Sequence, residues 1–408
     1  MNERLAIIDG IRTPFCRMGT DLAGLPADEL GRCAVNALLT RTGFDPGLVD
    51  EVIFGCVGQP AEAMNIARVI ALRAGLPEKI PALTVHRNCA SGFEALTQAQ
   101  ERLASGHGSI FIVGGTESMS QMPLLFSQPA ARKLSRVARA HSALKKVASV
   151  LALRPADFHP RIGLQLGLTD PVCGLNMGDT AELLARENHL SRADQDAFAL
   201  RSHQRSIAAH ERLQEEICPI YLTDKGGRAI DSDNGPREKV SLESLGKLPP
   251  VFDRRYGTVT AGNSSQITDG AVALLVMGEA RAHVLGLAPL GYLGTYAYTG
   301  CDPAHMGLGP VSAIKATRHP VEEADLVEIN EAFAAQTLAV LQKLGPVDET
   351  RLNVNGGAIA LGHPVGATGA RLILTALKEL KRRGGQRALV SACVGGGQGA
   401  ALWLERDL

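Results

Sequence analysis

Residues 353–371 read NVNGGAIALGHPVGATGAR, and much earlier residues 88–96 read NCASGFEAL. Each stretch carries one reactive side chain, His363 or Cys89, followed by small residues and then by helical periodicity. Outward from them the chain keeps one plan. Cys89 precedes Ala90-Ser91-Gly92, a helix, Gly106 and Gly108, the strand SIFIVGG (109–115) and TESMS. His363 precedes Gly366-Ala367-Thr368-Gly369, a helix, Gly384-Gly385, the strand in RALVSACVGGG (387–397) and QGAA. Gly92 to Gly114 spans 22 positions and Gly369 to Gly395 spans 26. DEVIFG (50–55) and ADLVEIN (324–330) form a further pair, each a strand running into a polar turn. A plan repeated at such distance implies two similar α/β halves packed together, with residues 121–250 inserted in the first.

The remaining sequence agrees with an α/β reading. The chain opens on a strand in LAIID (5–9), and AVALLVMG (271–278) is another. Helical patterns run over 27–42, 61–75, 90–105, 180–188, 192–216, 332–344 and 366–383. Ser191 with Asp194 makes an aspartate version of the capping box for the 192–216 helix. The proline-rich LGKLPPVFD (245–253) marks a joint. The domain reading is therefore 1–120 with 251–278 as the first half, 121–250 as the insertion and 279–408 as the second half. At 408 residues the chain is long enough for more than one core.

Forty-two basic residues face 42 acidic ones, so no global field recruits nucleic acid. The first apolar run is too short for a signal peptide or a span, and no longer uncharged stretch suits a membrane helix. The eight cysteines show no paired CxxC spacing for zinc or a disulfide framework. A cytoplasmic, reduced chain is expected, and the terminal ERDL has no route to a lumenal receptor without a secretory signal.

Three places carry chemistry. A cysteine at a helix N-terminus faces unsatisfied N–H groups and the positive end of the dipole, which favour the thiolate, so Cys89 reads as a nucleophile. His363 sits among glycines with proline after it, a presentation that suits a general base. Cys393 ends a strand and is followed by Val394-Gly395-Gly396-Gly397, whose amides can form an oxyanion-binding nest. Cys16, Cys33, Cys56, Cys173, Cys218 and Cys301 lack such surroundings and read as small buried hydrophobes.

The motifs NCASGFEAL, GGTESMS, GTVTAGNSSQITDGA, VEINEAFAAQ, NVNGGAIALGHPVGATGAR and CVGGGQGAA are collinear over nearly the whole chain, and together they resemble the thiolase family of acetyl-CoA acyltransferases. The resemblance implies an αβαβα layered fold of two duplicated halves with an inserted loop domain. It also implies site roles. Cys89 matches the nucleophile that holds the acyl group as a thioester, His363 the imidazole that activates it, and Cys393 the second thiol that moves the proton. Asn330 in NEAF matches the residue that fixes a water in one oxyanion site with His363. The backbone N–H groups of Cys89 and Gly395 match the other. Ser265 and Met177 match positions lining the pantetheine channel. No permanent cofactor is implied; coenzyme A is a substrate, and the family is generally oligomeric.

Departures from the biosynthetic short-chain pattern point to a subgroup. Leu175-Asn176 precede Met177-Gly178 where an aromatic residue and histidine are usual, and GNSSQ puts Gln266 where glycine is usual. Both look more like the β-subunit of fatty-acid oxidation complexes, which implies a 3-ketoacyl-CoA thiolase for medium and long chains. It also implies a hydratase/3-hydroxyacyl-CoA dehydrogenase partner subunit as an alternative to a homo-oligomer. The alternatives are a short-chain acetyl-CoA acetyltransferase and, more distantly, a non-catalytic carrier, which would be expected to have lost one of the three reactive residues. The stretch ARKLSRVARAHSALKKVASVLALRP (131–155) holds seven Lys or Arg and no acid. Written as one helix it gathers Leu134, Val137, Leu144, Ala148 and Leu151 near one face, so 131–153 is expected to meet a partner subunit or a membrane surface.

Overall fold

Nine strands build the main sheet: β1 (Leu5–Arg12), β2 (Glu51–Gly55), β3 (Ala82–Val85), β4 (Ile110–Glu117), β5 (Thr268–Gly278), β6 (Gly291–Gly300), β7 (Leu326–Ile329), β8 (Arg387–Val394) and β9 (Gln398–Glu405). The computed structural model describes residues 3–222, 227–345 and 347–407; Leu408, the last residue of ERDL, lies outside them. The strands run in the order β7-β8-β9-β6-β1-β5-β4-β2-β3, and Cys16–Arg17 adds a short strand beside β5. The order is palindromic in type. β2 and β4 pair in parallel as β7 and β8 do; β4 and β5 pair antiparallel as β8 and β9 do. β3 beside β2 has its counterpart in Leu352, which bridges Val327 of β7. The halves join where Ala6 and Ile7 meet Tyr292 and Gly291.

Nine helices matter below: α1 (Ala27–Thr42), α2 (Ser91–Ala104), α3 (Gln128–Ala138), α4 (Ala143–Leu151), α5 (Met177–Glu187), α6 (Arg192–Ala208), α7 (Gly309–Ala316), α8 (Ala334–Leu344) and α9 (Val365–Arg383). Period-two alternation in the strands sorts side chains into layers. Phe111, Val113 and Leu274 from the first half, with Val390, Leu402 and Leu404 from the second, share one core with residues of α2 and α9. Their neighbours Ile110, Ile112 and Leu275 face outward onto α1. Leu389 and Trp403 face outward onto α7 and α8. The result is the expected αβαβα layering, with α2 and α9 between the two half-sheets.

The two central helices cross at backbone contact. A Cβ on Gly92 would lie 2.5 Å from the Ala370 nitrogen, and one on Gly369 would lie 2.5 Å from the Phe93 nitrogen. A Cβ on Gly115 would fall 1.9 Å from the Gly366 carbonyl oxygen. These reciprocal contacts align the positions that the internal repeat aligned, and they bring the N-terminal ends of α2 and α9 together. Gly92→Ala is expected to cost on the order of 3 kcal/mol through overpacking, read as a lowered urea midpoint at unchanged slope.

Several segments differ from their sequence reading. Strands β3, β6 and β9 were not anticipated, and the 192–216 helix stops at Ala208 before a separate turn at His210–Gln214. The capping box is present: Asp194 N–H donates to Ser191 Oγ, and Ser191 N–H to Asp194 Oδ2. Residues 122–169 form a compact unit of their own, whereas 170–250 pack with the two halves. Buried Arg12 fixes that packing, donating to both oxygens of Asp233 at 2.7 and 2.8 Å and to Glu216 at 3.2 Å.

Within 122–169 the single expected helix is two, α3 and α4. Ser142 accepts from Lys145 N–H and starts a second helix, so Leu134 and Val137 no longer share a helical face with Leu144 and Leu151. Leu144, Val147, Val150 and Leu151 of α4 are exposed. A groove of about 750 Å³ within this unit is lined by Arg132, Arg136, Arg139 and Lys145. Among the described residues no helix is long and apolar enough to cross a membrane.

Candidate active site

The nucleophile loop is built on a left-handed residue. Asn88 has φ 43°, a conformation that asparagine tolerates better than most. Ser91 locks the turn by accepting from Arg87 N–H and donating to the Asn88 carbonyl. Asn88 Nδ2 donates to the Gly395 carbonyl at 2.8 Å, tying this loop to the glycine hairpin after Cys393. That hairpin needs glycine: Gly396 and Gly397 have φ of 90° and 79°, and a Cβ on Gly397 would lie 2.4 Å from the Cys301 carbonyl.

Cys89 is half-buried just before α2. Burial raises its pKa, while the N–H groups of Gly395 and of Cys89 itself point to the sulfur and pull the other way. The direction runs against the expected thiolate: burial outweighs the two amide donors and favours the thiol. The two amides that converge on it are the pair expected to bind an oxyanion. Cys393 is buried at the end of β8, and burial together with the nearby Cys89 sulfur pushes its thiol well above the usual range.

His363 enters between the 358–361 turn and α9. Its Nδ1 lies 2.6 Å from Thr368 Oγ1, and that hydroxyl donates to the Pro364 carbonyl. In the tautomer that carries its proton on Nδ1, that N–H donates to Thr368 Oγ1 and Nε2 is the bare lone pair. Nε2 is buried with no hydrogen-bond partner among the described residues. Burial first, then the Arg371 charge, lowers the His363 pKa to about 4, so the imidazole is neutral and basic in form at neutral pH.

That shift has a measurable consequence. Below about 6.5 the unfolded chain protonates His363, while the folded chain resists until about 4. Folding stability therefore drops as pH falls through this window, by about 3 kcal/mol at its lower end. Buried His203, also lowered to about 4, acts in the same direction. Thermal melts between pH 7 and 5 should show the loss, and His363→Asn should remove roughly half the slope.

Asn330 follows β7 and is fully buried; its backbone N–H donates to the Ser391 carbonyl, and neither end of its amide has a partner among the described residues. The rest of NEAF holds the loop. Glu331 accepts from Ser202 of α6, from Asn353 Nδ2 and from Ile359 N–H. Asn353, also left-handed, brackets the end of β7 through both groups of Ile329. Ala332 packs on Cys393 with Met306 and Met177, and its carbonyl accepts from Ser265 N–H. Met177 Sδ would lie 3.4 Å from a Cβ on Gly395. Cys89, Cys393, Gly395 and Met177 thus share one contact set, Ser265 and Asn330 join it through Ala332 and β7, and His363 joins through Gln266, whose carbonyl accepts the His363 N–H at 2.9 Å.

Sequence reasoning missed Thr368, Asn88 and Glu117. Buried Glu117 accepts from the N–H groups of Val57, Gly58 and Gly366, so it joins the end of β4 to the start of α9. The signal for Thr368 was legible, a hydroxyl one helical turn after Pro364. Glu117 looked like any acidic residue at a strand end.

A family model described as "Thiolase, N-terminal domain" matches residues 5–280, and one described as "Thiolase, C-terminal domain" matches residues 287–406. The chain belongs to the thiolase family. Among its relatives, an acetyl-CoA acetyltransferase of Pseudomonas aeruginosa is 43% identical over 99% of this chain and 100% of its own length. A 3-ketoacyl-CoA thiolase of Serratia proteamaculans is 43% identical over 99% of this chain and 97% of its own. Of solved thiolases, human mitochondrial 3-ketoacyl-CoA thiolase in complex with CoA superposes with a TM-score of 0.88 at 37% identity, covering 99% of this chain and 98% of that one. Bacillus anthracis acetyl-CoA acetyltransferase gives a TM-score of 0.89 at 36% identity, covering 99% and 100%.

Proposed function

We propose that this thiolase cleaves medium- and long-chain 3-ketoacyl-CoA with CoA, giving acetyl-CoA and an acyl-CoA shortened by two carbons. The observation that carries the reading is a bare imidazole nitrogen together with two thiols of raised pKa, with two amides converging on the first sulfur. His363 Nε2 takes the Cys89 proton as the sulfur attacks the keto carbon. The carbon–carbon bond then breaks, and Cys393 protonates the departing acetyl-CoA enolate. Burial serves both halves of this cycle: it keeps Cys393 protonated as the acid, then makes its thiolate basic enough to take the proton of the incoming CoA thiol. CoA sulfur attacks the thioester, and Cys89 leaves with the proton that His363 held. The N–H groups of Cys89 and Gly395 hold one oxyanion, and Asn330 with His363 holds the other through a water. Ser265 and Met177 line the pantetheine path. No permanent cofactor takes part; CoA is a substrate.

Chain length is the finer part of the proposal. The family resemblance implies that a histidine is usual at position 176 in short-chain enzymes; here Asn176 accepts from Gly178 N–H and caps α5. Rates of CoA-dependent cleavage of 3-ketohexadecanoyl-CoA and acetoacetyl-CoA test it: faster cleavage of the long substrate supports the reading, and a preference for acetoacetyl-CoA replaces it with the acetyltransferase reading.

The proposed location is cytoplasmic with peripheral contacts. Residues 121–250 serve as the loop domain, within which the exposed apolar row on α4, set among basic side chains, supports docking of 131–153 on a hydratase/dehydrogenase subunit or an anionic membrane surface. Oligomerisation is supported by β3, which stands at the end of the sheet order. Deleting 131–153 is expected to abolish co-purification with the partner subunit or recovery with anionic vesicles while leaving a folded core. Unchanged association and recovery would contradict the docking role.

A further inference from the structure

Gln266 stands where the resembling short-chain sequences have glycine, and the structure gives it a task. Its Nε2 lies within hydrogen-bond distance of three carbonyls, Gly235 at 3.0 Å, Ile359 at 3.0 Å and Ala360 at 2.9 Å, which its two protons share. Its backbone brackets the same turn, with N–H to the Ala358 carbonyl and C=O from the His363 N–H. The 358–361 turn is a single helical turn: Gly362 N–H serves the Ala358 carbonyl, while the Ile359 and Ala360 carbonyls lie past the last N–H the turn supplies. Gln266 supplies partners to these two carbonyls from outside, four and three residues before the imidazole. The 235 loop is drawn into the same contact: a Cβ on Gly235 would fall 2.2 Å from the Ala360 oxygen and 3.1 Å from Gln266 Nε2.

We propose that Gln266 is a positioning residue for His363, capping the turn that delivers the imidazole and so fixing where Nε2 points. The role rests on reading His363 as the base. It acts through the turn, with no contact to the reacting atoms required. Released from its cap, the turn lets His363 drift and admits water around the ring. Misplacement of about 1 Å costs about 10²-fold in rate, and added solvation moves the imidazole back toward its ordinary pKa.

The test uses the full chain with the substitutions Gln266→Met, which keeps size without the donor, Gln266→Glu, which keeps shape but offers only acceptors, and Gly235→Ala, which wedges the same turn from the other side. Expected are a kcat for thiolysis lowered by about 10²-fold, substrate KM values within a factor of about 3, and an acidic limb of the kcat profile moved to higher pH. A kcat within about 3-fold of the parent with an unmoved acidic limb, in both Gln266 variants, would overturn the proposal. If those variants do not fold, the same result in Gly235→Ala overturns it. Absence of thiolysis by the parent chain would instead remove the reading of the site, and the proposal with it, so the two failures are distinguishable.

Discussion

Cys89→Ala abolishes cleavage of 3-ketoacyl-CoA, with kcat lowered by roughly 10⁵-fold or more, the scale on which loss of a covalent nucleophile acts. No neighbour takes over its task. Cys393 is buried and its thiol is held well above the usual range, which suits a proton carrier and disqualifies it as a substitute nucleophile at neutral pH. The structure also predicts that the wild-type sulfur reacts as a thiol deprotonated during attack. Alkylation by iodoacetamide should therefore be slow at pH 7 and rise with pH above the ordinary thiol range, because burial raises the Cys89 pKa against its two amide donors. Stopped assays with the alanine variant, together with circular dichroism to establish folding, check the first statement. Residual turnover above about 10⁻⁴ of the parent's would contradict it.

Cys393→Ala carries the second large effect, a loss of about 10³ in kcat, within the range that general acid–base groups supply. The two variants fail at different bonds. Without Cys89 no acyl-enzyme forms. Without Cys393 the sulfur still attacks, but the enolate departs with no proton and the incoming CoA thiol meets no base. Exchange of acetyl-CoA methyl protons with deuterated solvent separates them from a general loss of structure. The parent enzyme is expected to exchange these protons through the Cys393 thiol, and Cys393→Ala is expected to lose the exchange. Preserved exchange in that variant would move the proton to another group, with His363 the nearest alternative in chemistry.

The layered fold was legible in the sequence because its halves repeat a cysteine- or histidine-led helix followed by a strand, and because β4, β5 and β8 are dense apolar runs. Strand β6, GYLGTYAYTG, was not, since Gly291, Gly294 and Gly300 interrupt its tyrosines and threonines, and pairing with β1 and β9 supplies what local preference lacks. The α3–α4 break was written in Ser142, whose side chain starts a helix, but a continuous apolar and basic pattern concealed it. Cys89, His363 and Cys393 stood out through their glycine and proline neighbours. Their protonation did not. The dipole argument alone put Cys89 as a thiolate, and burial, which raises its pKa against two amide donors, shows only in the packed structure. Gln266 and Thr368 act through side-chain hydrogen bonds to loops distant or adjacent in sequence, contacts that one-dimensional spacing does not display.

The central claim is that Cys89 carries the shortened acyl group between two half-reactions. Mixing the purified enzyme with 3-ketohexadecanoyl-CoA in the absence of free CoA, followed by intact mass measurement and peptide mapping, tests it most directly. The account predicts a tetradecanoyl adduct confined to the peptide holding Cys89, with acetyl-CoA released in equal amount, and discharge of that adduct as tetradecanoyl-CoA when CoA is added. An adduct on Cys393 or elsewhere, or turnover that proceeds with no adduct on Cys89, would contradict it.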